Sequence, residues 1–95
     1  MTGKQRAYLR SLANQCNPIF QIGKEGINEK QVKGIDEYLI VHELVKINIL
    51  ESAGLVTRQA CDELAQSLNA QPVQCIGRKI VLYRESPDDK KIRLP

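Results

Sequence analysis

The chain has 95 residues, 42% of them apolar and 26% charged, with a net charge of +3 at pH 7. That length supports one hydrophobic core and not two, and the apolar share excludes wholesale disorder. No stretch approaches the roughly eighteen consecutive apolar residues of a membrane span, and Thr2, Gly3, Lys4 and Gln5 stand where a signal peptide would build its apolar segment. The expectation is a single cytoplasmic domain with no membrane partner.

The first stretch, TGKQRAYLRSLANQ, reads as a helix. Thr2 with Gln5 three positions on forms a capping-box pair, and Tyr8, Leu9 and Leu12 cluster on one side of the helical wheel. Arg6 and Arg10 fall one turn apart, a like-charge pair that costs an isolated helix about 0.2 to 0.5 kcal/mol and so hints at an anionic partner. After Asn17-Pro18, the run IFQI reads as a short strand stopped by Gly23. Asn28 and Gln31 repeat the capping pattern before EKQVKGIDEYLIV, where Val32, Ile35, Leu39 and Ile40 recur at helical spacing. Gly34 weakens that helix by up to about 1 kcal/mol against alanine, which points to close packing.

LVKINIL is the clearest strand, with Val45, Ile47 and Ile49 alternating against Lys46 and Asn48, so its other face is partly polar. A turn at Ala53-Gly54 leads to Thr57, read as a cap, and to a third helix with a stripe of Ala60, Cys61, Leu64, Ala65 and Leu68. PVQCI and KIVLY flank Gly77-Arg78, a two-residue connection that suits a type II′ hairpin. The expected fold is therefore α/β, in the order helix, strand, helix, strand, helix, strand, strand. Two strand-helix-strand units and one hairpin require a mixed four-stranded sheet packed with three helices. Residues 1–86 form the expected domain, and 87–95 a charged tail lying on the surface or flexible.

Few residues carry recognisable chemistry. Cys16, Cys61 and Cys75 are an odd, widely spaced set, which fits neither a disulfide framework nor a zinc site and reads as reduced and mostly buried. His42 is the only histidine, and a lone histidine is more often structural than catalytic. The acidic pairs Asp36-Glu37, Asp62-Glu63 and Asp88-Asp89 read as solvated surface, because adjacent residues on a helix diverge. Neither a Walker A nor a G-x-G-x-x-G motif occurs, and no nucleophile motif is present. No enzymatic activity, cofactor, metal or small-molecule substrate is expected.

The stretch QIGKEGIN stands apart. Glycines at the end of a strand and just before a helix can take positive φ and bring backbone close to a ligand, and the free amides at a helix start suit phosphate. Lys24 adds a cation, as in the GXXG loop with which KH domains clamp RNA, whereas Glu25 opposes simple anion attraction. Two glycines in a strand-to-helix turn are also common punctuation. Lys4, Arg6 and Arg10 on the first helix, Lys24, Lys30 and Lys33, and Arg78, Lys79 and Arg84 around the hairpin are either a phosphate track or a scattered solvated surface. Tyr8 and Tyr83 either stack on bases or cap the core edge.

Several blocks in order carry a more specific signal: Thr2-Gly3-Lys4-Gln5-Arg6 with Tyr8-Leu9-Arg10, then Gln21-Ile22-Gly23-Lys24-Glu25-Gly26, then His42-Glu43-Leu44-Val45-Lys46-Ile47, and Ile76-Gly77-Arg78 followed by Ile80-Val81-Leu82-Tyr83-Arg84. Across residues 2–84 the chain resembles the CRM domain family, in particular its single-domain bacterial YhbY-like members. The resemblance implies a fold similar to the C-terminal domain of translation initiation factor three. It also implies RNA binding without catalysis, with ribosomal RNA or a large-subunit precursor particle as partner. Carried over, the family's GXXG loop falls on Gly23, Lys24, Glu25 and Gly26, its basic first-helix positions on Lys4, Arg6 and Arg10, and its ELVK block on Lys46, which either touches RNA or props the loop. The expected function is ribosome assembly through contact with the RNA backbone. The alternative is an adapter that docks on a ribosomal protein or another assembly factor.

Overall fold

The computed structural model describes residues 1–88 and 90–95. Helix α1, Gly3–Ala13, starts at Thr2 with both halves of the capping box in place: Gln5 N donates to Thr2 Oγ1 over 3.1 Å and Thr2 N to Gln5 Oε1 over 3.0 Å. Helix α2, Glu29–His42, takes only half of the expected box. Asn28 Oδ1 accepts from Gln31 N, but the Gln31 amide turns away and donates to Gln21 O, which ties the helix to the first strand. Helix α3, Thr57–Leu68, corrects the expected cap: Val56 holds that position with no side-chain bond, and its carbonyl accepts from Ala60 N. Thr57 is already inside the helix, beyond the position from which a hydroxyl reaches the N2 or N3 amide. A short 3-10 turn, Glu51–Ala53, precedes it.

The strands are β1 Phe20–Ile22, β2 Leu44–Ile49, β3 Gln71–Ile76 and β4 Lys79–Tyr83. Their order across the sheet is β1-β2-β4-β3, with β1 parallel to β2 and both pairs involving β4 antiparallel. The mixed four-stranded sheet is thus as expected from the sequence. The strands of the second strand-helix-strand unit, β2 and β3, point the same way, but β4 lies between them. In the hairpin turn Gly77 has φ 59° and Arg78 stays out of the positive region, the pattern of a type II′ turn. Pro72 sits on the edge strand β3 beside a register shift, where a missing donor does least harm.

Alternation sorts the sheet into two faces. Ile22, Val45, Ile47, Ile49, Ile80 and Leu82 meet α2 and α3, and the whole predicted α3 stripe is buried there. On the other face Val73, Val81 and Tyr83 meet Leu9 and Ala13 of α1, and Leu12, Leu44, Ile92 and Leu94 close the edge of this second cluster. Gly34 does mark close packing: a Cβ there would lie 3.3 Å from Phe20 Cε1. Ile40, expected on the apolar side of α2, is instead exposed. Cys61 is buried, Cys75 half-buried and Cys16 exposed, so only part of that expectation holds. Burial, chiefly, raises the Cys61 thiol to about 11, which keeps it protonated and inert.

Two surface readings are corrected. Arg84 lies beyond the end of β4, far from the hairpin turn, and its guanidinium is spent on the fold: Nη1 donates to Asp36 Oδ1 (2.7 Å) and Leu68 O (2.8 Å), and Nη2 to Asp36 O (2.9 Å). Asp36 is therefore half of an ion pair joining α2 to the sheet rather than solvated surface. Asp88 is exposed, and Asp89 lies outside the described residues. Arg84→Ala is expected to lower unfolding free energy by about 2 to 3 kcal/mol, since two carbonyls and a carboxylate lose a charged donor. Urea denaturation measures it; a loss below about 0.5 kcal/mol would show that water replaces the guanidinium. Among the described residues no helix is long and apolar enough to cross a membrane.

Candidate nucleic-acid interface

Residues 23–26 form one tight turn at the end of β1, closed by Gly26 N donating to Gly23 O over 2.8 Å. The two glycines do different work. Gly26 has φ 71°, with open space where a side chain would begin. Gly23 stays outside the positive region and is needed for room, its would-be Cβ lying 3.3 Å from Leu50 Cδ1. Lys24 and Glu25 occupy the exposed corner, and their backbone amides have no hydrogen-bond partner among the described residues. The start of α2 is less open, because the Asn28 side chain already occupies its Gln31 amide.

Two other segments end beside this turn. The 51–53 turn follows β2, with Ser52 Oγ 3.6 Å from the Gly23 Cβ position. The Gly77-Arg78 hairpin is held to β2 by Ile49 N donating to Arg78 O, and Arg78 reaches Glu51 at 3.9 Å. Helix α1 approaches over the sheet. Its Leu12 flank lies with Ile92 and Leu94 at the edge of the second cluster, and helical spacing puts the Arg6 and Arg10 flank roughly 120° to 160° around the axis from Leu12. Arg6 lines a shallow groove with Arg58, Gln74 and Cys75 on the β3 side.

The basic residues named from sequence do not all gather. Arg6 and Arg10 share a flank about 40° wide, whereas Lys4 lies roughly 120° to 160° around the axis, on the solvent side of α1. Lys46 does not prop the glycine turn: its Nζ donates to Ala13 O at 3.3 Å and Cys16 O at 3.4 Å, capping the negative end of α1. Lys30 and Lys33 are exposed on α2, in the other layer. Tyr83 is buried, and burial followed by the nearby Glu43 and Glu85 raises its hydroxyl's pKa, so it offers no stacking surface. Tyr8 is exposed. Tyr38 stacks on His42 with ring centres 4.1 Å apart, and among the described residues no cluster of three His, Cys, Asp or Glu forms a metal site.

Charge divides by layer. Helix α1 and all four strands contain no Asp or Glu, and carry Lys4, Arg6, Arg10, Lys46 and Lys79. The acids Glu29, Asp36, Glu37, Asp62 and Glu63 lie on α2 and α3, where Glu29, Asp36 and Glu63 line the large open groove between those helices. Lys4, Arg6, Arg10, Lys24 and Lys79 form no ion pair among the described residues. Sequence reasoning missed this asymmetry although its signal is present in the chain: the first predicted helix and the strands hold no acid, the other two helices hold five of the eleven, and the remaining six lie in the connections and the tail.

The family model of the CRS1 / YhbY (CRM) domain matches residues 1–84. The chain belongs to the CRM domain family. Among the relatives of this CRM domain is the "Probable RNA-binding protein YqeI" of Bacillus subtilis, 42% identical over 95 residues that span 100% of this chain and 99% of the relative. A Haemophilus influenzae protein named "RNA-binding protein" is 32% identical over 100% of this chain and 95% of its own. The solution structure of a hypothetical protein of Staphylococcus aureus superimposes with a TM-score of 0.79 at 43% identity, covering 100% of the CRM domain and 99% of that chain. The family and the α/β fold expected from the sequence are both confirmed.

Proposed function

We propose that this CRM domain binds RNA, contacting the phosphate backbone through the 23–26 turn and the cations around it, and that its partner is ribosomal RNA in large-subunit precursors. The observation that carries the reading is the acid-free layer of α1 and sheet, whose Arg6, Arg10 and Lys79 lack carboxylate partners among the described residues, together with the exposed turn in which the amides of Lys24 and Glu25 have no partner among them. An anion meets backbone donors and cations there without displacing internal bonds. Lys4 adds charge from the outer side of α1, and Lys46 acts through α1 by holding its end. Glu25 leaves its side chain in solvent while its amide faces the partner. The relatives named as RNA-binding proteins support the class of partner, and the family resemblance supports the ribosomal one.

The test is fluorescence anisotropy of labelled single-stranded large-subunit ribosomal RNA fragments at increasing salt. Neutralising a phosphate on a single strand contributes a slope of about −0.7, so Arg6, Arg10, Lys24 and Lys79 together give about −3 in log K against log salt. A slope near zero, or no binding of protein-free RNA, contradicts the proposal and turns attention to a protein partner on the precursor.

A further inference from the structure

One row of side chains on the α1 face of the sheet lies beyond the end of α1. The register places Gln21 beside Asn48, Asn48 beside Lys79, and Lys79 beside Ile76, one residue from each strand in a single line. Alternation puts all four on the face that α1 occupies, but α1 stops short of them: its end is fixed over the preceding row by Lys46, and its buried residues meet Val73, Val81 and Tyr83. Gln21 and Lys79 are exposed, Asn48 is half-buried at the centre, and Ile76 is 64% exposed. The side chains of Gln21, Asn48 and Lys79 have no hydrogen-bond or ion-pair partner among the described residues.

We propose that the Gln21-Asn48-Lys79-Ile76 row is a base-contacting platform for single-stranded RNA whose backbone is held by the adjoining 23–26 turn, an inference that rests on the RNA-binding reading above. The chemistry of the row fits that occupant. A primary amide offers a donor and an acceptor side by side, the pattern that pairs with base edges, and two such amides stand on neighbouring strands. Ile76 gives an apolar surface for a base face or sugar at one end, and Lys79 places a cation between the amides and the isoleucine. The row crosses four strands, roughly 14 Å, comparable to the sheet on which RNA-recognition domains lay two or three bases. The sheet itself carries Lys79 and no acid, and the flanking turns carry Lys24 beside Glu25 and Arg78 paired with Glu51 at 3.9 Å, so the cations of the row and of α1 leave the local balance positive. Backbone contacts alone bind RNA without distinguishing bases; this row supplies the distinction.

The test compares two probes, a single-stranded RNA oligomer and an abasic oligomer of the same length and charge, with wild type, Asn48→Ala and Gln21→Ala. Neither side chain has a partner to lose among the described residues, so both variants are expected to fold, which circular dichroism verifies. The expected result is that wild type binds the base-bearing oligomer about tenfold more tightly than the abasic one, that Asn48→Ala loses most of this ratio and Gln21→Ala part of it, and that affinity for the abasic oligomer is unchanged. If wild type binds both probes alike, or the variants keep the wild-type ratio, the row is not a base platform while backbone binding stands. If wild type binds neither probe, the RNA-binding reading fails and the row with it, leaving a protein as its occupant.

Discussion

Glu43→Ala is expected to lower the unfolding free energy by about 3 kcal/mol, more than any other single substitution of a charged residue considered above. Glu43 is fully buried at the end of α2, and its carboxylate accepts from Ser86 N (2.8 Å), Lys91 N (2.6 Å) and Ile92 N (2.7 Å). Those three bonds dock the segment whose Ile92 and Leu94 pack against the second core cluster. The residue holds φ 67°, a conformation that costs a non-glycine residue about 1 to 2 kcal/mol. Glycine would remove that strain, so Glu43→Gly is expected to be less damaging than Glu43→Ala while still losing the carboxylate. Urea midpoints compare the two; equal losses would show that the backbone strain is absent.

The same carboxylate makes stability depend on pH. Burial, the largest influence, raises its pKa, but the three amides and the Lys90 charge outweigh it and leave the group below its ordinary value. A lowered folded pKa means that the stabilisation is complete above the unfolded glutamate value of about 4.3 and is lost as pH falls through the folded value. Glu43→Gln should flatten that part of the stability curve.

Gly26→Asp is expected to weaken RNA binding by at least about tenfold, roughly 1.4 kcal/mol, with the fold retained. Nothing lies within 4 Å of a Cβ at this position, so the constraint on a side chain is its φ of 71°, which aspartate and asparagine tolerate better than other residues. The added charge would stand beside the corner amides where the phosphate is proposed to sit. Gly26→Asn keeps the shape and omits the charge, so its smaller loss isolates the electrostatic part. Equal affinities for wild type and Gly26→Asp would mean that the turn does not meet the RNA backbone.

Much of the fold was legible because its signals are local. The capping box at Thr2, the alternation of β2, the α3 stripe and the glycine-led hairpin each lie within a few residues, and the structure realises all four. What escaped the reading depends on partners far along the chain. Arg84 reads as one more cation near a hairpin until Asp36 is found 48 positions away, and nothing near Glu43 in sequence announces that the amides of Ser86, Lys91 and Ile92 donate to its carboxylate. Lys46 was visible as a polar residue on a strand, but only the path of α1 shows that its ammonium meets Ala13 O and Cys16 O. The glycine pair stood out in sequence, whereas the division between a glycine needed for φ and one needed for space required the position of Leu50. The register that aligns Gln21, Asn48, Lys79 and Ile76 is likewise a property of the assembled sheet.

The most direct test of the account is an amide NMR titration of the isotope-labelled protein with single-stranded ribosomal RNA. The account predicts that the backbone amides of Lys24 and Glu25 shift first and furthest, followed by residues of the Arg6 and Arg10 flank and of the hairpin, with the acidic α2 and α3 surface unmoved. Shifts centred on the groove between α2 and α3, with the 24 and 25 amides unchanged, would contradict it.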